Sequence, residues 1–335
     1  MKRQILYSLI GFLVFCSLLF PGSLLAAPYY EGKRITMVVG FGAGGGYDRV
    51  SRIIAKHLPK YIPGKPVILV ENVPGASSMI AANRIYNLEK PDGSAIGSIN
   101  RGLPFAQLIK IDGARFDLMK CGWVGSMAVE STVLAIRSDL PYKTFGDLLK
   151  SKAEIYLGDI GGGGTTTQFA ILLKDFAGLN VKTVHYPAGP DAMLALERKE
   201  VDGLARSYST FLPYVKRGFV RPLVRGRVSE PGIENLPINE DFTTDKTGKT
   251  LMAMLSVVDK IGRPYIVPPG TPVEVMNILR DGFAKVAKDP EVQDEARKMM
   301  LEVDYLPAGE CVEVLKYLFS QPETIIKEFS RYAKF

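Results

Sequence analysis

A β-branched run, Ile35-Thr36-Met37-Val38-Val39, passes directly into Gly40-Phe41-Gly42-Ala43-Gly44-Gly45-Gly46 and then into a helical pattern, an order few folds accept. The run reads as a buried strand. In the helix that follows, about 48–61, Val50, Ile53, Ile54 and Leu58 share one face and Arg49, Arg52, Lys56 and Lys60 the other. That helix is expected to pack on a sheet, with its cations solvated. His57 falls on the packing side. Strand, glycine turn and helix together form the opening of an α/β sheet, whose strand-to-helix edge is where such folds bind ligands.

The unit recurs. Pro66-Val67-Ile68-Leu69-Val70 is followed by the turn Asn72-Val73-Pro74-Gly75-Ala76-Ser77-Ser78 and a helix through Ile85. Strands are predicted at 94–99, 133–137, 154–157, 181–186 and 203–206, and helices at 145–150, 167–176, 192–198 and 210–217. A second glycine loop, Gly158 to Thr166, joins the third of those strands to its helix. Residues 229–249 lack periodicity, the alternation resumes at 251–258 and 265–267, a helix spans 272–285, and two more helical segments close the chain. This pattern predicts an α/β protein with mainly parallel strands, and 335 residues suggest about two domains.

Residues 1–27 read as a cleavable export signal. Lys2 and Arg3 precede an apolar run from Ile5 to Phe20, a Pro21-Gly22 break and Leu24-Leu25-Ala26-Ala27. The run is shorter than the roughly 20 residues a membrane span needs. Lys2 and Arg3 carry two of the formal +7 charges, which leaves +5, spread without the dense basic stripe of a nucleic-acid binder. A modest excess suits a protein that meets anions. Cys121 and Cys311 are expected to be separate buried thiols.

With only 2 His and 3 Cys, the chain has little material for a metal centre or a Cys/His catalytic pair, and no catalytic residue, metal or cofactor is assigned. Gly40, Gly42 and Gly45 satisfy G-x-G-x-x-G, with Glu71 ending the next strand, but an exported protein is poorly placed for a nicotinamide cofactor. The run 161–164 lacks the lysine of a phosphate loop. His185 has no catalytic partner in sequence. What the loops offer is backbone N–H groups at helix amino ends, which suit a small carboxylate as well as a phosphate. Asp48, awkward beside an anion, is expected to brace the first loop by accepting N–H bonds.

Taken in order, these motifs resemble the extracytoplasmic solute receptors of tripartite tricarboxylate transporters, also called Bug-type receptors. The resemblance runs from Ile35 to Arg52 through Phe41, Gly44-Gly45 and Asp48. It continues in Glu71-Asn72-Val73-Pro74-Gly75-Ala76, Pro91-Asp92-Gly93, the glycines 161–163, Tyr186, Val201-Asp202 and Pro268-Pro269-Gly270-Thr271-Pro272.

The resemblance implies a two-lobed periplasmic binding protein, type II-like, with a ligand cleft between lobes each built on a mainly parallel sheet flanked by helices. Lobe 1 would be 28–137 plus 251–335, and lobe 2 138–250. A carboxylate would be held by Phe41, Gly42, Ala43, Gly44, Gly45, Gly46, Tyr47 and Asp48, by Gly161, Gly162, Gly163, Gly164, Thr165 and Thr166, and beside them by Gly75, Ala76 and Tyr186. Arg101 and Arg206, which follow strands at the same edge, are candidates for a second carboxylate. The chain departs from the family in having Gly40, Gly42 and Ala43 where prolines are usual, Asp159 and Thr167 where Ser and His are common, and Pro187 where a lysine follows the tyrosine.

The function expected is that of a monomeric periplasmic receptor that captures a small organic acid and delivers it to the membrane permease subunits of such a transporter. An exported enzyme or a ligand-responsive sensor partner on the same fold is the alternative.

Overall fold

The computed structural model describes residues 27–161 and 164–333; the export segment before Ala27 lies outside them, as do Gly162 and Gly163. The first sheet is entered through β1 (Arg34–Val39), α1 (Gly46–His57), β2 (Val67–Asn72), α2 (Met79–Asn87), β3 (Ala95–Ser98), α3 (Leu103–Leu108) and β4 (Gly122–Ser126). The chain then crosses to a second sheet. This holds β5 (Thr132–Arg137), α4 (Phe145–Ser151), β6 (Ile155–Asp159), α5 (Thr165–Ala177), β7 (Val181–His185), α6 (Gly189–Glu197), β8 (Gly203–Ser207), α7 (Tyr208–Lys216) and β9 (Val220–Arg225). It returns through α8 (Lys246–Val257) to β10 (Pro264–Val267), α9 (Val273–Val286), α10 (Pro290–Lys298), β11 (Leu306–Pro307), α11 (Ala308–Phe319) and α12 (Glu323–Phe329).

Strand order is β11-β4-β10-β3-β1-β2 in one sheet and β7-β6-β8-β5-β9 in the other. The α/β fold of two helix-flanked sheets is the one expected. Its pairing is more mixed than "mainly parallel". β1 pairs parallel with β2 and β3, and β6 with β7 and β8, but β10 runs antiparallel to β3 and β4, and β5 to β8 and β9. The reason is the crossing. Strands that open a strand-helix unit end at the edge facing the other sheet, whereas β5 and β10 arrive from the other sheet and begin there. Thr132 is accordingly opposite Ser207, the last residue of β8. For the same reason Thr132–Arg137, assigned to lobe 1 from sequence, is hydrogen-bonded into the second sheet.

The apolar face of α1 packs as its spacing requires, with Val50, Ile53, Ile54 and Leu58 at most 2% exposed. Its cationic face is tied down rather than merely solvated. Lys56 reaches Glu295 at 2.8 Å and Lys60 reaches Glu291 at 2.7 Å, both on α10, and Arg49 donates to the Met299 carbonyl. His57, buried, contacts Glu295 at 2.9 Å. One apolar cluster joins the two sheets: Val38, Met79 and Trp123 of the first connect through Leu251, Leu255 and Phe329 to Leu134, Phe145 and Phe169 of the second. Within 229–249 lies a 3-10 turn, Asn239–Phe242, and α8 starts at Lys246, where the Asp245 side chain accepts the Gly248 N–H at 2.7 Å. Three helices rather than two follow α9. Cys121 and Cys311 are buried free thiols, as expected.

Candidate functional site

The carboxyl ends of β1, β2, β3, β6, β7 and β8 face one another across a cavity of about 240 Å³. Three helices present their amino ends to it. Gly46 and Tyr47 open α1, Thr165 and Thr166 open α5, and Gly189 opens α6, all lining the cavity. The residues that precede them, Gly45, Gly164 and Ala188, have extended backbone and supply no side-chain cap. The first-turn N–H groups of a helix have no partner inside it, and they carry the positive end of its dipole. Three such ends left uncapped around one cavity give it a positive electrostatic character.

A fourth element is the turn after β2. Gly75 has φ +129°, and Ala76, Ser77 and Ser78 follow at +45°, +51° and +78°. Each non-glycine residue there is disfavoured by about 1–2 kcal/mol, so the surroundings must impose the conformation. Ser78 Oγ accepts the Asn100 N–H at 3.2 Å, and Asn100 Nδ2 donates to the Ser77 carbonyl at 3.2 Å. Gly40 makes room for this, because a Cβ there would sit 1.8 Å from Ser78 Oγ.

The first loop is held from behind. Asp48, 2% exposed, accepts the Gly44 N–H at 2.8 Å, Asn72 Nδ2 at 2.8 Å and Arg52 Nε at 3.0 Å. Burial alone would raise its carboxyl, yet the bonds from Arg52, Gly44 and Asn72 keep it below its ordinary value. Asp48 thus braces the loop without lining the cavity. Phe41 and Tyr47 stack with ring centroids 4.3 Å apart, and the Tyr47 hydroxyl accepts the Arg101 N–H at 3.2 Å.

Three guanidinium groups reach the cavity, and no aspartate or glutamate is among the residues that line it. Arg101 is spent internally on Asp259 at 3.0 Å, Thr132 Oγ1 at 3.0 Å and Ser207 Oγ at 3.0 Å. Arg263 is paired with the buried Glu130, bonds Ser209 at 3.2 Å and lies over the Tyr47 ring at 5.6 Å. These two side chains lace the sheets together where the chain crosses. The Arg206 side chain has no hydrogen bond or ion pair with any described residue, and burial together with neighbouring Arg101 pushes it down to about 10.

Of the residues singled out from sequence, the cavity brings together Phe41, Gly42, Gly45, Gly46, Tyr47, Gly75, Ala76, Arg101, Gly164, Thr165, Thr166 and Arg206. Ala43 and Gly44 are exposed outside it. Gly161 closes its own turn, donating to Asp159 at 2.9 Å and accepting the Gly164 N–H at 3.2 Å. Tyr186 packs toward Gly158 and Leu204, and Pro187 after it reaches the cavity. His185 does have a carboxylate neighbour, Asp159 at 3.0 Å, but neither lines the cavity. Glu71, the candidate ribose ligand, pairs with Arg84 at 2.7 Å.

Sequence reasoning missed Ser77, Ser78, Asn100, Pro187 to Pro190, Ser207, Thr210 and Arg263. The run from Pro187 to Pro190 was findable, since it too joins a strand to a helix. Arg263 was not, because it precedes a strand rather than following one.

Residues 50–330 match the family model described as the tripartite tricarboxylate transporter family receptor, TctC. A UPF0065 protein of Cupriavidus necator is 24% identical over 90% of this chain and 89% of its own length, and one of Bordetella pertussis 26% identical over 85% of each. Among solved structures, the periplasmic binding protein BugD superposes with a TM-score of 0.71 at 21% identity, covering 90% of this chain and 98% of its own. A Rhodopseudomonas palustris protein solved with adipate gives 0.71 at 19% identity over 89% and 97%. MatC of that species, solved with bound malate, gives 0.66 at 18% over 90% and 99%.

Proposed function

This chain belongs to the TctC family of tripartite tricarboxylate transporter receptors, and we propose that it is a periplasmic receptor that captures a small organic acid and delivers it to the permease subunits of such a transporter. The observation that carries this reading is the cavity itself: three uncapped helix amino ends, three arginines and no acidic side chain in its lining. A carboxylate supplies what those N–H groups lack. Each charge-assisted hydrogen bond contributes roughly 1.5–3 kcal/mol, so three or four reach about −8 kcal/mol, a micromolar affinity. The malate and adipate in two structural neighbours are acids of the size this cavity admits.

The periplasmic setting follows from the amino-terminal segment, whose charges, apolar run and small-residue end are those of an export signal. Among the described residues no helix is long and apolar enough to cross a membrane. The lobes are read as bodies hinged where the chain crosses, near Glu130 and after Arg225, so that β5 belongs with lobe 2. An acid bound between them favours the closed arrangement by its contacts with both, and the permease then reads closure rather than ligand chemistry. No step of this cycle needs catalysis.

A thermal-shift screen of the mature chain against mono-, di- and tricarboxylates and aromatic acids tests the reading, because a ligand that binds only the folded state raises its midpoint. At least one acid is expected to raise it in a concentration-dependent way. A midpoint indifferent to every acid but raised by a sugar or a cation overturns the reading.

A further inference from the structure

We propose that Arg206 selects for a second anionic group, so that the acid taken by this cavity is a dianion with one group on the α5 amino end and the other on Arg206. The inference rests on the receptor reading and adds to it the charge and layout of the ligand. Of the three guanidinium groups at the cavity, Arg101 and Arg263 already hold buried carboxylates, Asp259 and Glu130. Arg206 holds none.

Its position is costly without one. The guanidinium lies so close to Gly189 that a Cβ there would sit 2.1 Å from its terminal nitrogen. It therefore rests on the first turn of α6, the end of a helix where a cation is disfavoured, and it has Arg101 as an electrostatic neighbour. Arg206 and the α6 amino end share one place, and no described carboxylate pairs with Arg206, the nearby Asp259 being taken up by Arg101. A purely structural arginine would gain by turning to solvent. An anion between these groups removes the conflict.

The layout argues for two groups rather than one. Ser77, Ser78, Asn100 and Thr165 line only the inner cavity, whereas Arg206, Gly46 and Gly189 line both that cavity and an adjoining groove of about 770 Å³. Arg206 is thus at the outer rim with the first residues of α1 and α6, and Thr165, the first residue of α5, is inside. A cavity of about 240 Å³ has room for more than one carboxylate, so different parts of one ligand can meet its inner end and its rim. The second group can be a carboxylate, a sulfonate or a phosphonate; the shared chemistry is an oxyanion facing a guanidinium.

Calorimetric titration of the mature chain with succinate and butyrate, glutarate and pentanoate, and adipate and hexanoate tests this, each diacid set against its matched monoacid. In the unaltered protein one diacid is expected to bind at least 10-fold more tightly than its partner. Arg206→Met is expected to weaken that diacid at least 30-fold and the monoacid less than 3-fold, with an unliganded midpoint equal to or above the parent's. Gly189→Ala, which displaces the guanidinium but keeps its charge, should weaken the same diacid selectively. Diacid affinity unchanged by Arg206→Met overturns the proposal, as does equal loss for mono- and diacid, which would make Arg206 part of a single carboxylate grip. Monoacids binding the unaltered protein as tightly as diacids overturns it too while leaving the receptor reading intact. An unaltered protein that binds neither overturns both.

Discussion

Replacing Thr165 by proline should weaken acid binding about 10- to 150-fold and leave the fold in place. Thr165 is the first residue of α5, so its N–H has no partner within the helix, and the residue lines the cavity. Proline removes that single donor. It is tolerated at a first helical position, where its fixed φ matches the helix. Gly164 before it has φ −83° and ψ 133°, the extended conformation that a residue preceding proline prefers. One charge-assisted hydrogen bond of roughly 1.5–3 kcal/mol corresponds to the stated range. Thr165→Ala keeps the N–H, loses the same buried side chain and should bind within about 3-fold of the parent, which separates donor from packing. Titration of both variants with an acid found in the screen decides the matter. A proline variant with parental affinity would mean that the α5 amino end is a turn and no ligand site.

The largest loss of stability is expected from Arg263→Met, about 3–5 kcal/mol in denaturant unfolding. Arg263 and Glu130 are 3% and 2% exposed, and removing one partner of a buried pair strands the other charge. The variant has a second consequence at the cavity. A Cβ on Gly46 would lie 2.5 Å from an Arg263 guanidinium nitrogen, so the arginine supports the first turn of α1 from beneath. Arg263→Met should therefore also weaken acid binding. The double variant Arg263→Met, Glu130→Gln removes the stranded charge and should recover much of the stability. Unfolding of both is the check, and a single variant as stable as the parent would show that the pair is not a strut.

Legibility in the sequence followed the chemistry of each segment. β1 announced itself because a β-branched run ends in glycine and β2 because its apolar run ends in a Pro-Gly turn, and the glycine loops after β1 and β6 pointed to the cavity. β4 did not, since Gly122-Trp123-Val124-Gly125-Ser126 is broken by glycines and owes its place to pairing with β10 and β11. β9 carries Pro222, which argues against a strand, but β9 is at the edge of its sheet, where a missing N–H is tolerated. Of the two arginines read from sequence as equals, Arg101 turned out to be committed to Asp259, a partner 158 positions away that no local pattern reveals. Arg206 was left with its charge exposed to the cavity. Such distinctions are tertiary, and so was the role of Gly40, which depends on Ser78 lying against it.

The central claim is that backbone N–H groups at helix amino ends hold a ligand carboxylate between the lobes. Amide chemical shifts of the ¹⁵N-labelled mature chain, followed through a titration with an acid that raises its midpoint, test this most directly. Saturable shifts are expected at Gly46, Tyr47, Thr165, Thr166 and Gly189, with one dissociation constant common to residues of both lobes. If those amides stay unmoved at saturation while shifts gather on surface lysines and arginines, the carboxylate is held elsewhere and the claim is wrong.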